Sequence, residues 1–458
     1  AGAGAAPAAL GAGASLAALG ATDFAPAELA GDAGGMPLVV YASPNLYDGR
    51  GANKPWLQEL PDPVTKVVWD HWIEMHSETA KKLGLKRGDL VSVKTAGGTI
   101  ETAVYDSIAI RKDVLAMGTG QGHVAYGQYA RNRGANALAA LPLTFDASGA
   151  LAYVSTRAAI TPTGKPYKLV YVGGDQLQGG QSRQMGRGIA QAIPLTEVGR
   201  PKSAEEQHEE AMHAPGYIGS TDSADPIEHA GKEAPNSAYA HHATHRWAMA
   251  IDLNSCNGCQ ACIVACSAEN NVAIVGKEQI ARGREMMWLR LERYYEEKNG
   301  TVEVRHVPVM CQQCGAAPCE SVCPVYATYH TPEGLNAMIY NRCVGTRYCA
   351  NNCPYKVRAF NWFAYKFPAP LHWQLNPDVT VRDKGVMEKC TFCIQRIRDA
   401  KDQAKDENRK VKDGEVRTAC QQTCPAQAIM FGDLKDPESA IVKRIESGAD
   451  LVVGECRL

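Results

Sequence analysis

Cysteine is absent from residues 1–255, and all sixteen cysteines of the 458-residue chain lie between Cys256 and Cys456. A disulfide-held scaffold would be a smaller chain, denser in cysteine and with less regular spacing. The formal net charge of −1 argues against nucleic acid as the main partner, because that partner favours a basic surface. No apolar run reaches the roughly 18 residues that span a bilayer, so no transmembrane segment is predicted.

Composition divides the chain into four predicted regions. Residues 1–36 are rich in Ala and Gly and are interpreted as a remnant or tail; with no Met or basic residue at their start, residue 1 is not expected to be the native start. Residues 37–194 form a β-rich domain, 195–245 a solvated linker, and 246–458 the cysteine domain. Six of the twelve histidines lie in the linker, where no ligand is expected: His208, His213, His229, His241, His242 and His245.

The β-rich region contains one strong hairpin signal. Asp89–Lys94 and Thr99–Val104 are strand-like and are separated by a turn that contains Gly97 and Gly98. Ser77 is predicted to cap a short helix that Gly84 closes. Many strand-like runs and few helical periods favour a small barrel-like domain.

The cysteines form four groups that each close with Cys-x3-Cys. The groups are Cys256-x2-Cys259-x2-Cys262-x3-Cys266, Cys311-x2-Cys314-x4-Cys319-x3-Cys323-Pro, Cys343-x5-Cys349-x3-Cys353-Pro, and Cys390-x2-Cys393-x26-Cys420-x3-Cys424-Pro. This is the bacterial ferredoxin spacing, in which three cysteines hold one cubane and the fourth reaches a second cluster. Zinc sites do not need the x3-Cys-Pro closure, attached haem needs Cys-x-x-Cys-His, and a thioredoxin-like pair needs a single Cys-x-x-Cys.

Residues 248–435 resemble the four-cluster iron–sulfur subunits that partner molybdopterin oxidoreductases. The words that carry the resemblance are Cys311-Gln-Gln-Cys314, Ala317-Pro-Cys319, Arg347-Tyr-Cys349, Cys353-Pro-Tyr355 and Lys389-Cys-Thr-Phe-Cys393. The resemblance implies three 4Fe–4S clusters, with ligand sets Cys256, Cys259, Cys262, Cys424; Cys266, Cys390, Cys393, Cys420; and Cys311, Cys314, Cys319, Cys353.

The fourth ligand set that the resemblance implies has only three cysteines: Cys323, Cys343 and Cys349. Thr346 stands where the family has its remaining cysteine, so we predict a 3Fe–4S cluster at this site. The alternative is a cubane completed by the Thr hydroxyl or by water. Cys456 is left over and is interpreted as a structural or free thiol.

Residues 37–140 resemble the C-terminal β-barrel domain of molybdopterin oxidoreductases. The matching words are Ala80-x2-Leu-Gly-Leu-x2-Gly-Asp-x-Val91 and Gly118-Thr-Gly-Gln-Gly-His123. Gly120 to His123 has a glycine pattern able to cradle a phosphate, although a strand–turn is the simpler reading, and a bound molybdopterin is not expected. The expected fold is α+β: a β-barrel-like domain followed by a double ferredoxin-like domain with short strands, helices and long loops.

The two domains together resemble the large iron–sulfur subunit of alternative complex III, and the chain is expected to match that subunit's C-terminal portion or a split gene. Tyr47-Asp-Gly-Arg-Gly-Ala-Asn53 and Trp56-Leu-Gln-Glu-Leu-Pro61 add to this resemblance. It implies an electron-transfer subunit with no complete active site. The implied partners are a quinol-oxidising membrane subunit of the polysulfide-reductase-anchor type and c-type cytochromes, in a hetero-oligomeric complex on the periplasmic face of the bacterial inner membrane.

Two other functions stay open from the sequence. One is the iron–sulfur subunit of a molybdopterin reductase of the polysulfide or dimethyl sulfoxide type, and the other is a zinc-binding assembly scaffold. The segment from Arg358 to Lys366, with its aromatic residues and terminal cations, is either a docking surface or a core segment.

Overall fold

Six strands of the cysteine-free half close into a barrel. The structure is a computed structural model that describes residues 28–146, 149–172, 245–298, 301–315, 317–446 and 451–453. The strands are β1 (Met36–Tyr41), β2 (Trp72–His76), β3 (Asp89–Lys94), β4 (Thr99–Ser107), β5 (Leu115–Gly118) and β6 (Thr156–Pro166). Their order around the barrel is β1-β5-β2-β4-β3-β6, with parallel β1/β5 and β2/β4 pairs. The predicted barrel-like domain is confirmed.

The predicted hairpin is confirmed, since β3 pairs antiparallel with β4 from Leu90↔Ala103 to Lys94↔Thr99. Three short helices accompany the barrel: α1 (Pro55–Glu59), α2 (Ser77–Lys82) and α3 (Gly127–Ala130). Helix α2 begins one residue earlier than expected, because the His76 ring, not Ser77, accepts the capping hydrogen bond from the Glu78 amide at 3.1 Å. Alternate residues of the strands point inward, so that Leu38, Val40, Ile73 and Met117 form part of a closed apolar core.

The cysteine domain is built from short elements joined by long loops. Its strands are β7 (Trp247–Ile251), β8 (Arg290–Lys298), β9 (Thr301–Val309), β10 (Thr328–His330), β11 (Asn336–Met338), β12 (Ala359–Phe360), β13 (Met387–Glu388), β14 (Ile429–Asp433) and β15 (Leu451–Val453). Its helices are α4 (Ala261–Glu269), α5 (Lys277–Ile280), α6 (Pro318–Ser321), α7 (Tyr348–Asn352), α8 (Ile394–Asp406), α9 (Ala419–Thr423) and α10 (Ala440–Glu446). Strand β7 is wholly buried between β14 and β15, and the remaining strands form three two-stranded sheets.

His245 corrects the predicted end of the linker. Its side chain is buried, and its Nδ1 lies 2.6 Å from a carboxylate oxygen of Asp433. The residue therefore anchors the start of the cysteine domain instead of belonging to a solvated tether. The other five linker histidines and Cys456 lie outside the described residues. Within those residues, no helix is both long and apolar enough to cross a membrane.

The barrel domain docks on the cysteine domain through the loop that follows α1. The buried Glu59 carboxylate accepts hydrogen bonds from the Val275 and Gly276 amides, at distances down to 2.7 Å, and from the Trp69 indole at 3.3 Å. Leu60 belongs to the core of the cysteine domain. Burial outweighs these donors and raises the pKa of Glu59 to about 7.

The Glu59 contact predicts a pH-dependent stability. The folded chain holds the Glu59 proton up to about pH 7, whereas the unfolded chain releases it near its ordinary value of 4.5. Stability should therefore fall as pH rises between these values, by up to about 3 kcal/mol from this group. In thermal unfolding of the holo chain, Glu59→Gln should make the unfolding temperature less pH-dependent. Some slope remains, because burial also raises the pKa of Glu74 to about 7.

The exposed Glu101 of β4 supplies the matched control for this prediction. Glu101→Gln removes the same charge at the surface and should leave the pH slope unchanged. An equal slope in the wild type and in Glu59→Gln would contradict the prediction.

Candidate iron–sulfur centres

Two of the cysteine loops have the same backbone pattern. In the first, Gly258 and Gln260 have φ values of 71° and 63°, and in the third, Gly345 and Arg347 have φ values of 74° and 65°. Such left-handed residues turn successive amides toward one point, as in the anion-binding nests of iron–sulfur proteins. Gly258 also needs to be glycine because a Cβ there would lie 2.6 Å from the His306 ring.

Cys259 and Thr346 occupy equivalent places in these two loops. Each stands between the left-handed glycine and the left-handed residue that follows it. Both residues are exposed. The structure therefore places an oxygen side chain in the third loop where the first loop has a thiol.

The three Cys-Pro closures also repeat one conformation. The third residue after each closing cysteine has a φ of 50° to 52°, at Tyr326, Lys356 and Gln427. In two of them the next amide donates back to the closing sulfur: Ala327 N to Cys323 Sγ at 3.2 Å, and Ala428 N to Cys424 Sγ at 3.3 Å. A hydrogen bond donated to sulfur favours its charged form, which is the form that binds metal.

The first two predicted ligand sets meet in the centre of the domain. Burial raises the pKa of Cys262 and Cys266 well above the usual range. The thiols that act on Cys262 are those of Cys420, Cys256, Cys259 and Cys424. The thiols that act on Cys266 are those of Cys390, Cys393, Cys420 and Cys262. The predicted members of each set are thus close together, and Cys262 and Cys420 lie where the sets adjoin.

The sulfurs of the second set receive several polar contacts. These are Asn270 Nδ2 to Cys266 Sγ at 3.7 Å, Phe392 N to Cys390 Sγ at 3.5 Å, Ala419 N to Cys393 Sγ at 3.5 Å, and Thr418 Oγ1 with Cys420 Sγ at 3.2 Å. A buried group of thiolates repels itself and needs cations among its members. This donor set, all sulfur and ringed by N–H and O–H groups, fits an iron–sulfur cluster.

The fourth predicted set is also together, since the Cys343 and Cys323 thiols both act on Cys349. Burial is more than offset at Cys323 by amide donors and by Arg358, so the pKa of its thiol is lowered. In the third set, Cys319 is acted on by Cys311, and Cys353 shares an apolar cluster with Cys311. Cys314 shares a different apolar cluster with Cys319, and all four cysteines are buried.

Arg358 is not part of a docking surface, although the sequence left that reading open. Its side chain is buried, with Nη2 at 3.0 Å from Cys319 Sγ, whereas Lys366 is exposed. No pattern in the sequence pointed to this contact with a ligand cysteine. A charge reversal at Arg358 would therefore disturb the cluster region and not test docking.

The glycine-rich turn after β5 is packed against the chain itself. A Cβ at Gly120 would lie 2.6 Å from Leu46 Cβ, and one at Gly122 would lie 2.2 Å from the Asn136 nitrogen. Gln121 and Gln58 side chains exchange two hydrogen bonds, at 2.7 Å and 3.2 Å. These contacts support the strand–turn reading of Gly120 to His123.

Comparison with known proteins connects both domains to redox enzymes. The 4Fe–4S dicluster domain is matched twice, at residues 255–327 and 302–369, and the molydopterin dinucleotide binding domain is matched at residues 56–157. The chain is 44% identical over 204 residues to the "Menaquinone reductase, iron-sulfur cluster-binding subunit" of Nitratidesulfovibrio vulgaris, covering 43% of this chain and 78% of that protein. The chain belongs to this iron–sulfur subunit family.

Two further members of the iron–sulfur subunit family are similar over the same share of the chain. The "Putative dimethyl sulfoxide reductase iron-sulfur subunit" of Halobacterium salinarum is 37% identical, covering 43% of this chain and 70% of that protein. The "Hdr-like menaquinol oxidoreductase iron-sulfur subunit 1" of Archaeoglobus fulgidus is 34% identical, covering 43% of this chain and 74% of that protein. The predictions of 4Fe–4S binding and of an electron-transfer role, instead of a catalytic one, are confirmed.

Proposed function

We propose that residues 246–458 hold three 4Fe–4S clusters and one 3Fe–4S cluster. The four-iron sets are Cys256, Cys259, Cys262, Cys424; Cys266, Cys390, Cys393, Cys420; and Cys311, Cys314, Cys319, Cys353. The three-iron set is Cys323, Cys343, Cys349. The observation that carries the uneven count is the equivalence of Thr346 with Cys259 in loops of the same backbone pattern.

The proposed role is electron relay between a quinone- or quinol-reacting membrane subunit and a second redox partner. When bound, the clusters supply one-electron transfer, and the chain supplies burial, sulfur donors and fixed positions. Two of the relatives named above carry menaquinone or menaquinol in their names, which supports a quinone-linked complex. The finer version, quinol oxidation with c-type haem acceptors on the periplasmic face, rests on the resemblance to alternative complex III alone.

The surface near the three-iron set suits the membrane partner. Val344, Tyr348 and Tyr326 are 64%, 57% and 61% exposed, and each is next to a cysteine of that set or within three residues of one. Exposed aromatic and aliphatic side chains of this kind are typical of interface cores. We assign this surface to the quinol-oxidising subunit because it shortens the electron path to the chain.

The second candidate is the electron-transfer half of a molybdopterin reductase. The relative named for dimethyl sulfoxide reduction and the match of the barrel to a molydopterin dinucleotide binding domain favour it. These findings support it better than they support cytochrome acceptors. The zinc scaffold is the weakest reading, since the relatives above are iron–sulfur subunits, and no three His, Cys, Asp or Glu side chains in the described ranges converge on a single-ion site.

One measurement on the purified intact complex tests these readings together. We expect iron and acid-labile sulfide, reducible four-iron EPR signals, and a three-iron signal in the oxidised protein. Stoichiometric molybdenum would identify the second candidate, and zinc without labile sulfide would identify the scaffold. A complex with four-iron signals and no three-iron signal would overturn the proposed cluster count.

A further inference from the structure

Arg358 lies at the junction of the third and fourth ligand sets. Its Nη2 donates to Cys319 Sγ at 3.0 Å and lies 2.8 Å from Thr328 Oγ1 and 2.7 Å from Asn336 Oδ1. The guanidinium also hydrogen-bonds the Cys349 thiol. Cys319 and Cys349 belong to different proposed sets, so one side chain contacts ligands of two clusters.

The charge of Arg358 is balanced by sulfur. Only 8% of the residue is exposed, and burial disfavours its charge. The anionic groups that offset burial and raise its pKa are the thiolates of Cys319, Cys311 and Cys349. Because a guanidinium stays protonated in proteins, it needs these negative neighbours in every redox state of the site.

We propose that Arg358 sets the reduction potentials of both adjoining clusters, which makes it a positioning residue of the electron path. The inference rests on the ligand sets proposed above. A reduced cluster carries one more negative charge than an oxidised one, and a buried cation with hydrogen bonds to the ligand sulfurs stabilises that extra charge. The rigid fork of the guanidinium lets one residue act on two sulfurs at once.

A redox titration followed by EPR tests this role in the intact complex. In Arg358→Met, an apolar side chain of similar length replaces the cation. At a fixed ambient potential, the reduced-to-oxidised ratio of the third and fourth clusters should each fall about tenfold, which is a shift of about 59 mV for a one-electron couple. The clusters of the first two sets should keep their potentials.

Two further variants separate charge from structure. Arg342→Gln removes an exposed cation next to Cys343, where solvent screens it, and should shift both potentials much less. Arg358→Lys keeps the buried charge and should return both potentials toward the wild type. If Arg358→Met fails to assemble its clusters, Arg358→Lys decides, because potentials in it unchanged from the wild type support the charge role and a tenfold fall contradicts it.

Three results would overturn the inference: unshifted potentials in Arg358→Met, a shift confined to one of the two clusters, or a shift of equal size in Arg342→Gln. Failure of the underlying ligand sets looks different. In that case the wild-type complex itself lacks the three-iron signal or one of the four-iron signals before any variant is made.

Discussion

Replacing Thr346 by Cys is expected to convert the proposed three-iron cluster into a four-iron cluster. Thr346 stands where Cys259 stands in the first loop, between a left-handed glycine and a second left-handed residue, and both residues are exposed. A thiolate at this place can therefore bind a fourth iron without a change in the backbone. The three-iron EPR signal of the oxidised protein should disappear, and iron analysis should show one more atom per chain.

Thr346→Val is the matched control, because it keeps the shape of the side chain and removes the hydroxyl. The proposed cluster count requires that valine leave the three-iron signal at its full amplitude. If the wild type shows no such signal and Thr346→Val acquires one, then the threonine oxygen holds an iron and the site is a completed cubane. The valine result thus separates the two readings that the sequence leaves open.

The grouping of the cysteines was accessible from the sequence for a local reason. Within each loop, the thiols of one cluster are separated by two to five residues, and the left-handed turns between them are encoded at the same spacing, as at Gly258 and Gly345. The barrel hairpin is equally local, since β3 and β4 are joined by a four-residue turn. In contrast, the parallel β1/β5 and β2/β4 pairs join strands that are distant in sequence, and no local pattern predicts them.

The contacts that sequence reasoning missed join distant residues. Arg358 and Cys319 are 39 positions apart, and Glu59 and Gly276 are 217 positions apart. An arginine beside aromatic residues looks the same in sequence whether it faces a partner or a cluster, because only the tertiary fold decides which anion it meets. His245 was misread for the same reason: its partner Asp433 is 188 positions away.

Removal of the iron is expected to unfold the cysteine domain and leave the barrel folded. The elements around the clusters are too short to persist alone, with two-residue strands at β12 and β13 and five-residue helices at α7 and α9. Lys389 is fully buried, as Arg358 is nearly so, and without cluster charge both cations lose their balance. Metal binding is then part of the folding free energy of this domain.

Amide hydrogen exchange on the full chain, before and after treatment with a chelator and an oxidant, measures this directly. Protection in β7, α4 and α8 should fall by roughly a hundredfold or more. Protection in β2, β3 and β4 should persist, because the barrel encloses its own apolar core around Ile73 and Val91 and contains no cysteine. The barrel is therefore an internal control, and equal loss in both domains would show that the Glu59 interface, and not the iron, holds the chain together.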